Sequence, residues 1–510
     1  MANVLYDALF APQSDNDKVF LKTRIGPDFS YRDIVALAGQ YAALLEGLGA
    51  QPGDRVAVQV NKSPQAIAVY AACLKCGCVF LPLNTAYTAT EIEYFIGDAT
   101  PAVFICDESN ENALQPIAKK NPCKLLTLNA DGSGSFSEQA TAYPLSSSST
   151  PDNQVRPRDG EDLAAILYTS GTTGRSKGAM LTHRNLLSNA VTLVDYWQFT
   201  ENDVLLHGLP IYHTHGLFVA TNTLLLAGGT CIFLPSFNVD DYIELLPQST
   251  SMMGVPTFYT RLLADKRLTR DLVSHMRLFT SGSAPLLAET HESFEQLTGL
   301  RILERYGMTE TNMSTSNPYD SERRAGTVGF PLPGVEARVV DPESGDRLDA
   351  NEIGVLEVRG ENVFKGYWQM PEKTAEDFKP DGFFITGDLA KCDTDGYIHI
   401  VGRDKDLIIS GGFNIYPKEI ELLLDDQPSV LESAVVAAPH PDFGEGVVAV
   451  LVAQEGQSID LQAIRDSAST ALAKFKQPKE YLVLDSLPRN TMGKVQKNLL
   501  REQAKNLFNT

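Results

Sequence analysis

Basic charge is what this 510-residue chain has too little of: 43 Lys and Arg stand against 64 Asp and Glu, a formal net charge of −21. Affinity for DNA, RNA or anionic membranes comes largely from cations that neutralise phosphates, so none of these is expected as a main partner. No apolar run approaches the roughly 20 residues of a membrane span. The N-terminal stretch shows early acidic residues rather than a basic-then-apolar leader, and 506–510 carry no peroxisomal or lipidation signal. The cytoplasm is the expected compartment. Cysteine is also scarce, seven in all and scattered, which suits reduced thiols. Cys73, Cys76 and Cys78 have metal-like spacing, but they lie where an Ala-rich helical pattern runs through Gly77 into CVFL. No later CxxC completes a zinc set, so burial as small hydrophobes is expected.

A chain of this length exceeds a single hydrophobic core. Apolar residues at 34, 37, 38, 41, 44, 45 and 48, after Ser30 and Asp33, have the spacing of one helical face. Strand-like runs at 55–60, 78–82 and 102–106 surround a second helix at 64–75. A second series of βα units follows through 231–234, 252–255 and 277–280, and short strands with turns replace helices over 326–402. The reading is α/β: a large N-terminal domain, 1–403, of two βαβ-type sheets plus a small β-rich lobe, then a smaller α+β C-terminal domain, 404–510.

Residues 168–178 read YTSGTTGRSKG, after the apolar run 163–167 that looks like a buried parallel strand. Gly171, Gly174 and Gly178 let backbone N–H groups approach an anion closely. Thr169, Ser170, Thr172, Thr173 and Ser176 add hydroxyls, and Lys177 a mobile charge. Such a loop is suited to a polyphosphate. The spacing is not that of a Walker A loop, which separates its glycines by four residues and ends in Gly-Lys-Ser/Thr.

A second constellation, Glu304, Arg305, Tyr306, Gly307, Met308, Thr309 and Glu310, is expected just past a strand at 301–303, where open α/β sheets bind ligands. An aromatic beside a glycine offers a flat face to a base. Glu310 offers an oxygen to Mg²⁺, which typically takes one or two carboxylates along with phosphates and water.

Together these strings resemble the acyl-adenylate-forming superfamily, which includes acyl-CoA synthetases, carrier-protein adenylation domains and luciferases. The resemblance implies ATP, Mg²⁺ and coenzyme A as small-molecule partners. It places adenine on Tyr306, phosphate on Thr309 and Mg²⁺ on Glu310 with Thr169. Ser281, Gly282, Ser283 and Ala284 resemble the adenine-side loop, and Asp388, in TGD, and Arg403, in GRDKD, the ribose contacts. Lys494, in PRNTMGK, resembles the catalytic lysine, whose charge offsets the repulsion between a carboxylate and the α-phosphate it attacks. Acetylation there would remove that charge. In the family the small domain is mobile and swings about the position of Lys405, carrying Ser410, Gly411 and Gly412 to a thiol tunnel.

The strings LPIYHTHGLF and GVPTFYTR stand where the family builds its acid pocket. Arg261 is informative, because a buried guanidinium without a partner is very costly. A second substrate carboxylate would be that partner; the alternative is Arg261 on a helix surface with its stem along apolar neighbours. With HTHG, ERYGMTETN and PRNTMGKVQK, the whole chain resembles malonyl-CoA synthetases. That likeness implies malonate contacts at His213 or His215, Thr214, Arg261 and Met313, with His213 also a catalytic candidate beside Lys494, Thr309 and Glu310. The alternatives are a medium-chain or aromatic acid:CoA ligase and, from another class, a catalytically inactive nucleotide-binding regulator.

Overall fold

The first helical face is set by a capping box. Ser30 accepts from the Asp33 backbone N–H, the Asp33 carboxylate accepts from that of Ser30, and helix Tyr31–Gly47 follows. Ser63 caps Pro64–Lys75 with its side chain alone, accepting from the Ala66 N–H, and Pro64 takes a first-turn position that needs no N–H donor. These elements belong to a computed structural model that describes residues 3–145, 154–169, 176–410, 413–472, 474–490 and 493–508. Cys73, Cys76 and Cys78 are buried around the end of the second helix, as expected.

By internal packing the chain divides into Met1–Ala337 with Val358–Phe384, and Arg338–Glu357 with Ile385–Thr510. The first unit holds two sheets. In the larger, the strands Leu303–Met308, Leu278–Ser281, Ser251–Gly254, Val204–His207, Thr230–Phe233 and Val19–Thr23 lie side by side and parallel. Antiparallel strands Asn312–Ser316 and Phe330–Pro331 extend one edge, and Phe29–Ser30 the other.

The second sheet runs Lys124–Thr127, Val103–Cys106, Arg55–Gln59, Val79–Pro82, Leu163–Thr169 and Lys177–Thr182, parallel except for its last pair. Ala57, Leu81, Phe104 and Ile166 form part of its core with Ile92, Phe95 and Ile96 from helix Ala89–Ala99. Such strands, covered on both faces, read as continuous apolar runs rather than alternating ones.

Two local departures from the sequence reading matter for the site. The run at 163–167 is parallel only toward Val79–Pro82; on its other side Lys177–Thr182 returns antiparallel, with Thr169 opposite Lys177 and Tyr168 opposite Gly178. Lys177 and Gly178 thus belong to a strand rather than a loop. Likewise Arg305 to Met308 are not past a strand but in it, because Asn312–Ser316 folds back and supplies the ladder.

The second unit contains a five-stranded sheet in which Val430–His440 and Gly444–Ala453 pair antiparallel and Glu480–Leu484 adds parallel to the latter. Alternate residues go to opposite faces. Val435, Val447, Ala449 and Leu451 meet Ile420, Leu424, Ile464 and Ala468, while Ala434, Val436, Val448 and Val450 meet Leu487, Leu500 and Ala504. A four-stranded sheet orders Val335–Val340, Gly354–Gly360, Phe384–Cys392 and Ile398–Arg403. A mixed α/β chain with a large first part and a smaller α+β part is the architecture expected.

Candidate nucleotide and acid site

Thr169 and Lys177 frame the phosphate-loop string, while Ser170, Gly171, Thr172, Thr173 and Gly174 lie outside the described residues. The frame is held by aromatic hydroxyls. Tyr94 Oη donates to the carbonyl of Ser176 at 2.8 Å, and Tyr168 Oη donates to the Asp98 carboxylate. Burial first, and then Asp98, push the Tyr168 phenol pKa up, so it remains a donor. Lys177 Nζ is 4.0 Å from Asp377 and 4.2 Å from the centre of the Tyr367 ring. The Tyr367 hydroxyl donates to Glu310 Oε1 at 3.2 Å. Hence the structure brings Lys177 and Glu310, 133 positions apart by their numbers, onto one tyrosine.

Glu310 is buried and Thr309 half-buried. Among the described residues no group of three or more His, Cys, Asp or Glu side chains could hold a metal. One carboxylate and the Thr169 hydroxyl fit Mg²⁺ only if phosphate oxygens and water complete its shell, which is how that ion is usually bound.

The adenine-side string follows strand Leu278–Ser281: Ser281 and Gly282 are buried, and Ser283 (φ 70°) and Ala284 half-buried. The Glu304 Oε1 accepts from the Leu286 N–H at 3.2 Å, tying this turn to the neighbouring strand. Tyr306 and Met308 are half-buried side by side, the tyrosine hydroxyl 3.9 Å from the Met308 sulfur. Gly307 is obligatory, since a Cβ there would stand 1.7 Å from the carbonyl of Asn312.

The acid-side string lies on the same sheet. His215 begins a π-helix, His215–Asn222, a rare form frequent at functional sites. Lys62 braces the stretch ahead of it, its ammonium donating to the carbonyls of His207 at 2.8 Å and Leu209 at 2.9 Å. Thr214 Oγ1 donates to Asn312 Oδ1 at 2.8 Å, next to the buried Met313. His215 Nδ1 lies 3.2 Å from Ser283 Oγ, and His213, half-buried, accepts from the His215 N–H at 3.3 Å. Burial, then the charge of Arg305, hold the His215 pKa well below the usual value, so its ring is neutral.

The guanidinium that is buried here is Arg305, not Arg261. Arg261 is exposed in the last turn of helix Pro256–Leu263. Arg305 is 2 % exposed, packed against Gly282, and none of its three side-chain nitrogens has a hydrogen-bond partner. Burial pulls its pKa down to about 9, still leaving it charged at neutrality. His215 Nε2 is a further buried nitrogen without a partner. Groups of this kind suit an anion that accepts hydrogen bonds. Sequence reasoning placed Arg305 with the nucleotide and missed Asn312 and Tyr367 altogether. No signal in the string tells a buried arginine from a solvated one.

In the second unit, Asp388 is buried and directly opposite Arg403 in the Phe384–Cys392 and Ile398–Arg403 ladder, with Arg403 Nε 2.7 Å from Asp388 Oδ1. Lys405 is exposed in the short helical turn Asp404–Asp406. Ser410 is buried at the end of Ile408–Ser410; Gly411 and Gly412 lie outside the described residues. Lys494 is exposed on a turn closed by its N–H to Asn490 Oδ1 at 2.9 Å, with Gly493 at φ 75°.

Two family models match the chain, one described as AMP-binding enzyme over residues 11–368 and one as AMP-binding enzyme C-terminal domain over residues 419–494. The chain is 34% identical to a malonate–CoA ligase of Arabidopsis thaliana, covering 98% of this chain and 89% of that protein. It is 36% identical to a mitochondrial malonate–CoA ligase of Mus musculus, covering 88% and 82%. Among solved structures, ATP-bound MatB from Rhodopseudomonas palustris matches with a TM-score of 0.96 and 55% identity over the whole of both chains.

Proposed function

We propose, for a chain that belongs to the AMP-binding enzyme family, that it ligates malonate to coenzyme A with ATP, releasing AMP and pyrophosphate. One malonate carboxylate attacks the α-phosphate, the bond to the β-phosphate breaks, and malonyl-AMP forms. The thiolate of coenzyme A then attacks the malonyl carbonyl and AMP leaves. The observation that carries the choice of acid is the buried, unpartnered guanidinium of Arg305 beside the neutral His215. A monocarboxylate uses its only anionic group in the reaction and would leave Arg305 without a hydrogen-bond acceptor, whereas the second carboxylate of malonate can accept from it. Malonate is also the acid named for the two enzyme relatives above.

Tyr306 would stack on adenine and Asp388 with Arg403 take the ribose hydroxyls. Thr169, Lys177 and Thr309 would hold phosphates. Mg²⁺, when bound, would neutralise charge on the triphosphate, and Glu310 and Thr169 are the residues to hold it. Lys494 would lower the repulsion between carboxylate and α-phosphate. Thr214, fixed by Asn312, and Met313 would limit the size of the acid, with His213 at the edge of the same wall. Residues 1–403 are proposed as the adenylate-forming part and 404–510 as the part that carries Lys494 and the thiol-tunnel segment at 410–412, turning about Lys405. The cytoplasm is the proposed compartment.

Pyrophosphate release from ATP, measured with malonate, octanoate and benzoate, tests the reading. Release with malonate alone is expected. Preference for octanoate or benzoate would transfer the chain to another acid class, and no release with any acid would make it a nucleotide-binding regulator.

A further inference from the structure

Tyr367 is 3 % exposed and touches two charged candidates of the nucleotide site at once. The contacts use different parts of the side chain. Its hydroxyl donates to Glu310 Oε1, and its ring face lies beneath the Lys177 ammonium.

The backbone fixes this placement. Met180 N donates to Gly366 O at 2.9 Å, Lys365 N to Met180 O at 2.9 Å and Trp368 N to Gly178 O at 2.7 Å, so 365–368 pairs with Lys177–Thr182 through an antiparallel bridge between Ala179 and Tyr367. One residue earlier, Phe364 N donates to Glu310 O at 2.7 Å. The indole of Trp368 donates to Asp98 O at 3.2 Å, so Asp98 receives both Trp368 and Tyr168. The segment is thereby joined to both flanks of the phosphate string and to Glu310, with Tyr367 between them. A tyrosine kept only for packing would need no more than a neutral acceptor for its hydroxyl. This one spends its donor on a buried carboxylate and its ring on a cation.

We infer that Tyr367 is a positioning residue that sets the separation of Lys177 and Glu310 so that both meet the same triphosphate. The inference rests on the nucleotide reading above and adds to it a residue that need not touch substrate itself. It also assigns the two halves of the side chain separate effects. The hydroxyl governs the carboxylate side of the site, and the ring governs the lysine side.

The test compares the full chain with Tyr367→Phe and Tyr367→Leu. Two quantities are read: ATP affinity by calorimetry without divalent metal, and Mn²⁺ affinity by paramagnetic resonance in the presence of a non-hydrolysable ATP analogue. Tyr367→Phe keeps the ring, so its metal-free ATP affinity should match wild type. Its Mn²⁺ affinity should fall about tenfold, the scale of a lost hydrogen bond to a charged group. Tyr367→Leu should lose the same Mn²⁺ affinity and also about fivefold in metal-free ATP affinity, the scale of a lost cation–π contact. Wild-type Mn²⁺ affinity in the Phe variant, or equal losses in both variants on both readouts, overturns the inference. A wild-type chain that binds no ATP removes the nucleotide reading and the inference with it. Should the Leu variant not fold, the Phe variant decides by its split between the two readouts.

Discussion

The guanidinium of Arg305 lies directly against the backbone of Gly282: a β-carbon at that glycine would meet Nη1 at 2.2 Å and Cζ at 2.4 Å. The obstacle is the end of a side chain rather than backbone, so Gly282→Ala should displace Arg305 and leave the fold standing. The KM for malonate is expected to rise about tenfold or more, the cost of misplacing a charged hydrogen-bonding group. Steady-state pyrophosphate release measures it. An unchanged malonate KM would detach Arg305 from the acid.

Arg305→Met tests the same group from the side of stability. Removing a buried charge that lacks a partner should leave the ligand-free melting temperature equal or higher. Malonate, however, should lose roughly 2–5 kcal/mol of apparent affinity. Arg261→Ala, at an exposed position, should cost malonate well under half as much. Calorimetric melting and malonate titration of the three proteins separate these effects. A large stability loss in Arg305→Met would mean that an internal partner already satisfies the guanidinium.

Lys494→Ala should abolish adenylation while supplied malonyl-AMP is still converted to malonyl-CoA. The lysine is asked to help where a carboxylate meets the α-phosphate, whereas the thioester step is an attack on the malonyl carbonyl carbon. ATP–pyrophosphate exchange reads the first step and thiol consumption the second. Normal exchange in the variant would exclude the role.

Acid stability should follow the buried imidazoles. Burial lowers the pKa of His183 to about 4, and that of His207 and His215 well below 6.5. The unfolded chain takes a proton on each near 6.5, which the folded chain refuses, so the unfolded state binds more protons in that window. Their neutral burial therefore costs nothing extra above about pH 6.5 and destabilises the fold as pH falls below it, each by up to about 1.4 kcal/mol per pH unit. Melting from pH 7.5 to 5 should show a shallower decline in His183→Gln than in wild type. A parallel decline in both would show that His183 is not buried as a neutral ring.

Helices with strong caps and strands made of apolar runs were legible because their causes are local. Ser30 with Asp33, and the run at 103–106, needed no knowledge of the rest of the chain. The ends of those elements were less so: Arg305 to Met308 become strand only because Asn312–Ser316 returns beside them, an event several residues away. Motifs picked out Lys177 and Glu310, yet their meeting on Tyr367 depends on a segment more than 50 positions further along. The burial that separates Arg305 from Arg261 is likewise a tertiary property. Residue type gave both the same chemistry, and solvent exclusion gave only one of them an unmet charge.

The pairing of 365–368 with Lys177–Thr182 has one more consequence. The segment covers the outer rim of Lys177–Thr182, which otherwise ends its sheet with open donors and acceptors, a template for another chain. Peeling it away would invite self-association there, so damage to this strap would surface as aggregation on concentration as readily as in slow turnover.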